Sequence, residues 1–408
     1  MTSQNNMRRW LVFFSASLLF FYTFIQLNSL NAISADLLKS FNLDASGLGN
    51  LSAGYFYANF LFIFPAGLLL DHYSPRKLIL FAMLLSVIGV FGFAHAHHVW
   101  VASLARIIMG VGGAFSFIGC IRIASRWFPS SQMALVAGLL NAIGMLGGLL
   151  AQFPITWLTQ QYSWRTALSV DGALGVFCFI FIFLFVSDRP QKQSVIEPTQ
   201  PFWRSIRQVF LKPNNWLCGL YTALINSPVF VLGALWGNMY LTQMEHLSAM
   251  TDSYVIMFLF LGNIIGSPLI GWISDLLQWR RRLMIASAFL ALLFMLAMIF
   301  LSHLSIVSLA ILFTLLGITT SAQILSYPIV TKTNSMATTG LANSIVSLTL
   351  IASGFIFQPL FGYLMELSDK PIHHVVTSYT AHDFVIAMSI LPVSFLISML
   401  IPFWIKTK

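Results

Sequence analysis

Charge is the scarcest commodity in this sequence. Only 8% of its 408 residues are Asp, Glu, Lys or Arg, where an ordinary soluble protein carries roughly a quarter. That excludes a soluble globular protein, and no charge-rich stretch is long enough to form a separate catalytic or nucleic-acid-binding domain. Cysteine is also sparse: Cys120, Cys178 and Cys218 each sit in an apolar stretch, without the CxxC spacing of a zinc or redox site. They read as small buried hydrophobes. No nucleophile with its base and no metal-ligand set lies at recognisable spacing, so neither an enzyme nor a cofactor or metal is expected. The histidines of the HAHH stretch, His95, His97 and His98, read as a solvated loop.

What the sequence does hold is apolar residues, 58% of the total, with a mean hydropathy of +0.84. A hydrocarbon core of about 30 Å needs about 20 apolar residues per helix, so twelve crossings use roughly 240 residues and leave short loops. The pattern predicts an all-α integral membrane protein with twelve transmembrane helices. The first six spans are expected at 10–35, 48–70, 77–95, 98–126, 132–157 and 165–187, and the second six at 215–241, 252–275, 283–302, 305–328, 338–366 and 382–405. The first run follows Arg8 and Arg9 as a signal peptide would, but it is too long for one and reads as a retained span. Between the sets, residues 188–214 form the one long polar stretch, with four prolines and five basic residues. The expected organisation is an N-terminal six-helix half (1–187), a cytoplasmic linker (188–214) and a C-terminal six-helix half (215–408).

Sixteen of the 21 basic residues fall on the side of the N-terminus and three on the other. The positive-inside rule then puts both termini in the cytoplasm, so the net charge of +9 reports orientation and not a nucleic-acid partner. An internal repeat accompanies this layout. At an offset of 204, Gly67 falls on Gly271, Asp71 on Asp275, Arg76 on Arg280 and Lys77 on Arg281. At nearly the same offset, Gly138-Leu139 and Asn141 match Gly340-Leu341 and Asn343, and Pro154 matches Pro359. Duplicated, pseudo-symmetric halves mark secondary transporters, with a solute site near the midplane between them.

These residues resemble the major facilitator superfamily. GLLLDHYSPRK, Gly67 to Lys77, is similar to that superfamily's GxxxDxxGRRK loop signature, and GWISDLLQWRRR, Gly271 to Arg282, to its degenerate second copy. The departures are Ser74 and Gln278 where a glycine is usual, and His72 where a basic residue is usual. The resemblance implies gating by Gly67, Asp71, Arg76, Lys77, Gly271, Asp275, Arg280 and Arg281. Physically, Gly67 admits a neighbouring helix, while Asp71 suits a base or another helix's positive N-terminus better than its own C-terminal end.

Span 4 carries two arginines sixteen residues apart, which at about 100° per residue places them on nearly opposite faces. Arg106, followed four residues later by Gly110, is similar to the superfamily's span-4 pattern, which implies a structural or coupling role. Arg122 precedes Trp127-Phe128-Pro129 as in the RxxxxWFP ending of the organic-anion and sugar-acid symporter branch. There the arginine meets a substrate carboxylate, a task that suits a bidentate guanidinium. The acidic span-4 residue of that branch is replaced by Gly113 and Ala114, and its charged span-1 motif by Tyr22, Gln26, Asn28 and Asn31. Span 5 lacks the Gly-Pro dipeptide of the family's drug antiporters.

Asp171 is the one carboxylate well inside an apolar span. Low dielectric disfavours a charged carboxylate, which suits a proton carrier, and Arg106 lies at similar depth. The second half shows no intramembrane charge but has expected helix interruptions at Asn226-Ser227-Pro228, Gly266-Ser267-Pro268 and Tyr327-Pro328, which suit cavity walls. The expected solute-binding set is Arg122, Tyr22, Gln26, Asn226, Trp236 and Gln323, with Asp171 and Arg106 for proton coupling. The expected function is proton-coupled import of a small polar solute, an organic anion or amino acid, by a monomer in a bacterial cytoplasmic membrane. An efflux pump for amphiphilic compounds is the alternative that the 14% aromatic content suggests.

Overall fold

The computed structural model describes residues 3–129, 132–188, 202–301, 304–335, 338–367 and 379–406. The linker segment 189–201 therefore lies outside the described residues. Among them, eleven helices are long and apolar enough to cross a membrane, and one bent pair raises the number to twelve. In the first half these are span 1 (Met7–Phe41), span 2 (Ala45–Leu70), span 3 (Pro75–Ala94), span 4 (Val99–Trp127), span 5 (Leu135–Gln161) and span 6 (Trp164–Phe185). In the second they are span 7 (Pro213–Ile225 with Val229–Glu245), span 8 (Ala249–Leu277), span 9 (Arg280–Phe300), span 10 (Ile306–Thr333), span 11 (Thr339–Glu366) and span 12 (Ala381–Phe403).

Short polar loops start these helices with side-chain caps that satisfy the free N–H groups of the first turn. Asp44 accepts from Gly47 N, Ser163 from Thr166 N, Ser248 from Thr251 N and Ser305 from Ser308 N, while Thr380 and Asp383 form a reciprocal capping box. The expected interruption after Asn226 is real: span 7 bends by 42° there and runs on through π-helical turns, Val229–Trp236. The other two differ. Span 8 stays helical through Pro268, whose missing N–H is tolerated within an enclosed bundle. In span 10 the irregularity is a 3₁₀ segment, Ser321–Leu325, just before Tyr327-Pro328. Span 8 also begins earlier than expected, so Asp252 falls in its first turn and is fully buried, which corrects the reading that the second half buries no charge.

Each half packs around its own core, with span 2 on span 4 and span 3 on span 6 in the first, and span 8 on span 10 and span 7 on span 11 in the second. The main pairings that join the halves are span 2 on span 11, span 5 on span 8 and span 1 on span 7. One end of the bundle gathers basic residues. There Arg8 lies over the Trp127 ring, and Arg126 pairs with Asp188 at 3.3 Å while Arg76 N donates to the same carboxylate. This is the basic end, and the opposite one the far end.

The halves meet at the far end. Asn31 of span 1 and Asn238 of span 7 exchange two hydrogen bonds, at 3.0 and 3.3 Å. Gln152 Nε2 of span 5 donates to the Gly233 carbonyl of span 7 at 3.0 Å, and the Thr156 and Ser253 hydroxyls lie 2.6 Å apart. At the rim, Ser46 N and Oγ both donate to the Glu366 carboxylate at 2.8 Å. A Cβ added to Gly49 would fall 2.7 Å from Pro359 Cα, so only glycine allows spans 2 and 11 to approach this closely. At the basic end the reverse holds: a Cβ at Gly67, Gly138 or Gly340 would have no atom within 4 Å. The expected close packing of Gly67 against a neighbouring helix is therefore absent among the described residues.

Candidate functional site

A polar centre lies inside the first half. Asp171, about two turns into span 6, is buried, on a helix that packs against spans 1 and 3. Gln26 Nε2 donates to its Oδ2 at 2.6 Å, and the Tyr22 hydroxyl donates to its main-chain carbonyl at 3.1 Å. Arg106, 1% exposed, does not form an ion pair with Asp171 among the described residues. Its Nη1 donates to the Gln26 carbonyl at 2.8 Å and its Nη2 to the Ser52 carbonyl at 3.2 Å, with the guanidinium 5.0 Å from the centroid of the Tyr55 ring. Gln26 thus stands between the two charges, its amide on the acid and its carbonyl on the base. Direct pairing, the simplest reading of their similar depth, is replaced by a three-member chain.

An uncompensated guanidinium in low dielectric is costly, and carbonyl dipoles with an aromatic face offset that cost only in part. Asp171 Oδ1, Ser52 Oγ and Arg106 Nε lack a partner. Beside them, Gln26, Ser29, Arg106, Met109 and Leu168 border a cavity of about 10 Å³, roughly the room one water molecule needs. The centre is therefore not fully satisfied by its own side chains, as suits groups that change protonation or partner.

The expected solute-binding residues divide. Tyr22 and Gln26 point into the first half and belong with Asp171 and Arg106. Asn226 caps the first helix of span 7 at its bend, and Gln323 lies in the 3₁₀ segment of span 10. Thr222, one turn before Asn226, donates to the Gln323 main-chain carbonyl at 3.4 Å, which joins spans 7 and 10 beside the bend, and Asn226 Oδ1 and Gln323 Oε1 have no partner among the described residues. Trp236 does not join them. Its indole is fully buried, donates to the Gln358 carbonyl at 3.2 Å and stacks on Phe361, so the expected solute contact is a packing contact with span 11. Arg122 is half-buried on the second helix of span 4.

The expected gating residues lie on and beside two turns, between spans 2 and 3 and between spans 8 and 9. Ser74, in place of the usual glycine, caps span 3 and donates to Asp188, while Arg76 Nη2 donates to the Phe183 carbonyl at 2.7 Å. Lys77 N donates to Ser74 Oγ at 3.3 Å. The side chain of Asp71 lies outside the described residues. In the second copy Gln278 takes the left-handed conformation, φ 54°, that explains why glycine is usual there. Asp275 meets Arg280 at 3.3 Å, Arg281 donates to the Phe403 carbonyl, and Gly271 has one neighbour, Ile324 Cδ1, within 4 Å. The three cysteines are buried and unpaired, and no group of three metal-ligating side chains occurs among the described residues.

Sequence reasoning missed Gln152, Thr156, Ser253 and Glu366, which join the halves. The only signal for Gln152 was a long amide just before Phe153-Pro154 in an otherwise apolar span. Glu366 closes the expected eleventh span, 338–366, and nothing in the sequence pairs it with Ser46.

Comparison with known proteins agrees with this architecture. The chain is 23% identical over 308 residues to a probable galactarate/D-glucarate transporter of Bacillus subtilis, covering 67% of this chain and 66% of that protein. It is 23% identical over 280 residues to the membrane sensor protein UhpC of Salmonella typhimurium, covering 63% and 61%. The matches thus span slightly less than two thirds of these relatives' own length. A bacterial homologue of the human lysosomal transporter Spinster, solved in an inward-facing and unoccupied conformation, superposes with a TM-score of 0.80 at 15% identity, covering 98% of this chain and 97% of that one. The Major Facilitator Superfamily model matches residues 12–359, and with twelve spans in two joined halves the chain belongs to that superfamily of membrane transporters.

Proposed function

We propose that the protein imports a small organic anion, of the sugar-acid or amino-acid kind, together with protons, across a bacterial cytoplasmic membrane. The observation that carries this reading is the chain Asp171–Gln26–Arg106, a buried carboxylate and guanidinium linked through one residue, whose side-chain amide donates to the acid and whose main-chain carbonyl accepts from the base. A proton arriving at Asp171 removes the charge that Gln26 Nε2 binds, and Gln26 lies on span 1, which packs on span 7 of the other half. Coupling and movement therefore share one helix. The solute carboxylate is assigned to Arg122 and its neutral polar groups to Asn226 and Gln323. The resemblance to a protein described as a galactarate/D-glucarate transporter supports this class.

Residues 1–187 and 215–408 rock as two bodies joined by the linker 188–214, as a monomer, with the basic end in the cytoplasm. When that end closes, Gly67 and Gly340, and Gly138 and Gly271, come into contact across the same helix pairs that now meet at the far end, with Asp71, Arg76, Lys77, Asp275, Arg280 and Arg281 fixing the turns around them.

The test is a thermal-shift screen of purified wild type and Arg122→Ala against galactarate, glucarate, hexuronates, amino acids and lipophilic cations, since a ligand that binds the folded state raises its transition temperature. Stabilisation of wild type but not the variant by a carboxylate is expected. Equal stabilisation of both by lipophilic cations alone would replace this reading with efflux of amphiphilic compounds, which the 14% aromatic content favours.

A further inference from the structure

Histidine is distributed unevenly over the two ends of the bundle. By their place between the spans, eight of the nine histidines lie at the far end, and His72 alone lies at the basic end. Three of the eight share one turn between spans 3 and 4, His95, His97 and His98, and all three are exposed. Neither the polar centre nor the turns of the basic end uses them. The start of span 6 lies beside this turn. Arg165 Nη2 donates to the Ala96 carbonyl at 3.0 Å, its guanidinium rests 4.1 Å from the centroid of the Trp164 ring, and its Nε has no partner among the described residues. His95 Nδ1 lies 2.9 Å from the Phe91 carbonyl, while the His98 ring stacks on exposed Trp100, so the imidazoles turn to different partners and do not converge as metal ligands would. His98 opens span 4 without a side-chain cap, which leaves first-turn N–H groups free to meet an anion.

The charged groups around this rim balance. Neither the turn 94–100 nor the turn 161–166 holds a carboxylate, and Tyr162 is the one further titratable group there. Span 1, tied to Trp164 Nε1 through Ser40 Oγ at 2.9 Å, brings Asp36 and Lys39, and the loop before span 2, which packs on span 4, brings Asp44. Two fixed cations thus face two carboxylates, and the formal charge of the rim is 0 with the three histidines neutral and +3 with them charged. Histidine makes that change between about pH 8 and 5, where a carboxylate is still ionised.

We propose that His95, His97, His98 and Arg165 form an anion-capture patch on the far rim of the first half, switched on by acid, whose ligand is an organic carboxylate arriving from the far side. The inference rests on the reading of the protein as an anion importer. Its benefit there is timing: acid on the far side both supplies the driving proton and gives the rim the charge that gathers the solute. Charge steering raises association rates about 10- to 1,000-fold and is screened beyond about 10 Å at 0.1 M salt. The patch therefore acts on KM, chiefly at low ionic strength, and leaves the maximal rate alone.

The test has two arms, both on the full-length protein. In phosphatidylcholine nanodiscs, with Cys120, Cys178 and Cys218 replaced by Ala, a fluorophore on Tyr162→Cys, an exposed position next to the patch, reports quenching by iodide relative to neutral acrylamide at about pH 7.5 and about pH 5.5. The iodide-to-acrylamide ratio is expected to rise severalfold in acid, to stay flat in the triple variant His95→Gln/His97→Gln/His98→Gln, and to be high at both pH values in His97→Arg/His98→Arg. In proteoliposomes with the proton gradient held constant, the KM for galactarate should fall about tenfold between the same pH values. The triple variant should lose this fall and the arginine variant should keep a low KM throughout, with maximal rates alike. A quenching ratio that ignores pH, or follows it equally in the triple variant, would overturn the patch. A responsive ratio with a KM that shifts equally in wild type and triple variant would overturn capture as its role. A responsive ratio without uptake of any screened solute leaves the anion patch standing and rejects the import reading.

Discussion

The first half buries a guanidinium and a carboxylate within four spans, while the second buries the neutral amides Asn226, Gln323 and Gln358 and keeps Asp252 at the far edge, hydrogen-bonded to Thr242. A charged group held in place by the main-chain carbonyls of two other spans, as Arg106 is, ties those spans into one body. Neutral amides at a helix bend do less to fix the backbone and more to offer hydrogen bonds to a visitor. The difference teaches a division of labour. In the proposed function, proton chemistry stays within one half and its effect reaches the other through span 1, where Gln26 and Asn31 lie five residues apart and bond Asp171 and Asn238 respectively.

This contrast can be broken most severely at Arg106. Arg106→Met removes two charge-assisted hydrogen bonds, each worth about 1.5–3 kcal/mol, and should lower thermal stability sharply and abolish uptake. Arg106→Lys should recover little, because a point charge does not span two carbonyls as a guanidinium fork does. Both effects are read by thermal unfolding and proteoliposome uptake. In the second half the effect should be kinetic and smaller: Asn226→Ala and Gln323→Ala are expected to raise KM for the solute about tenfold each, as loss of about 1.4 kcal/mol of binding requires, with the maximal rate nearly unchanged. A fall in the maximal rate with KM intact would place these amides outside the solute site. Gly67→Leu should leave the melting temperature of this conformation nearly unchanged, since no atom lies within 4 Å of the new Cβ, yet slow turnover by obstructing closure of the basic end. The smallest effect belongs to Asp275→Asn, which breaks an ion pair whose carboxylate is 75% exposed; exposed pairs add little, so stability should not change measurably.

Much of the architecture is legible in the chain itself. The spans and their two sets follow from run length, because a membrane leaves a helix few other solutions. The loop motifs were readable for the same reason that Gln278 adopts a left-handed turn where glycine is usual. Partnership was not legible. That Gln26 separates Arg106 from Asp171, that Trp236 is spent on Gln358, and that Glu366 caps span 2 all depend on how distant spans rotate about their axes. Apolar periodicity reports this poorly when lipid and core are both apolar. Span 8 starts three residues earlier than expected, at Ala249 and not at 252, which carries Asp252 from the span's first position into its buried first turn.

The central claim is that a proton at Asp171 drives solute movement, and uptake of galactarate or of whichever carboxylate stabilises wild type tests it directly. Wild type and Asp171→Asn are compared in proteoliposomes with and without an imposed inward proton gradient. The account predicts that the gradient accelerates uptake by wild type, while Asp171→Asn still exchanges solute across the membrane but no longer responds to the gradient. Gradient-driven uptake that persists undiminished in Asp171→Asn would contradict it.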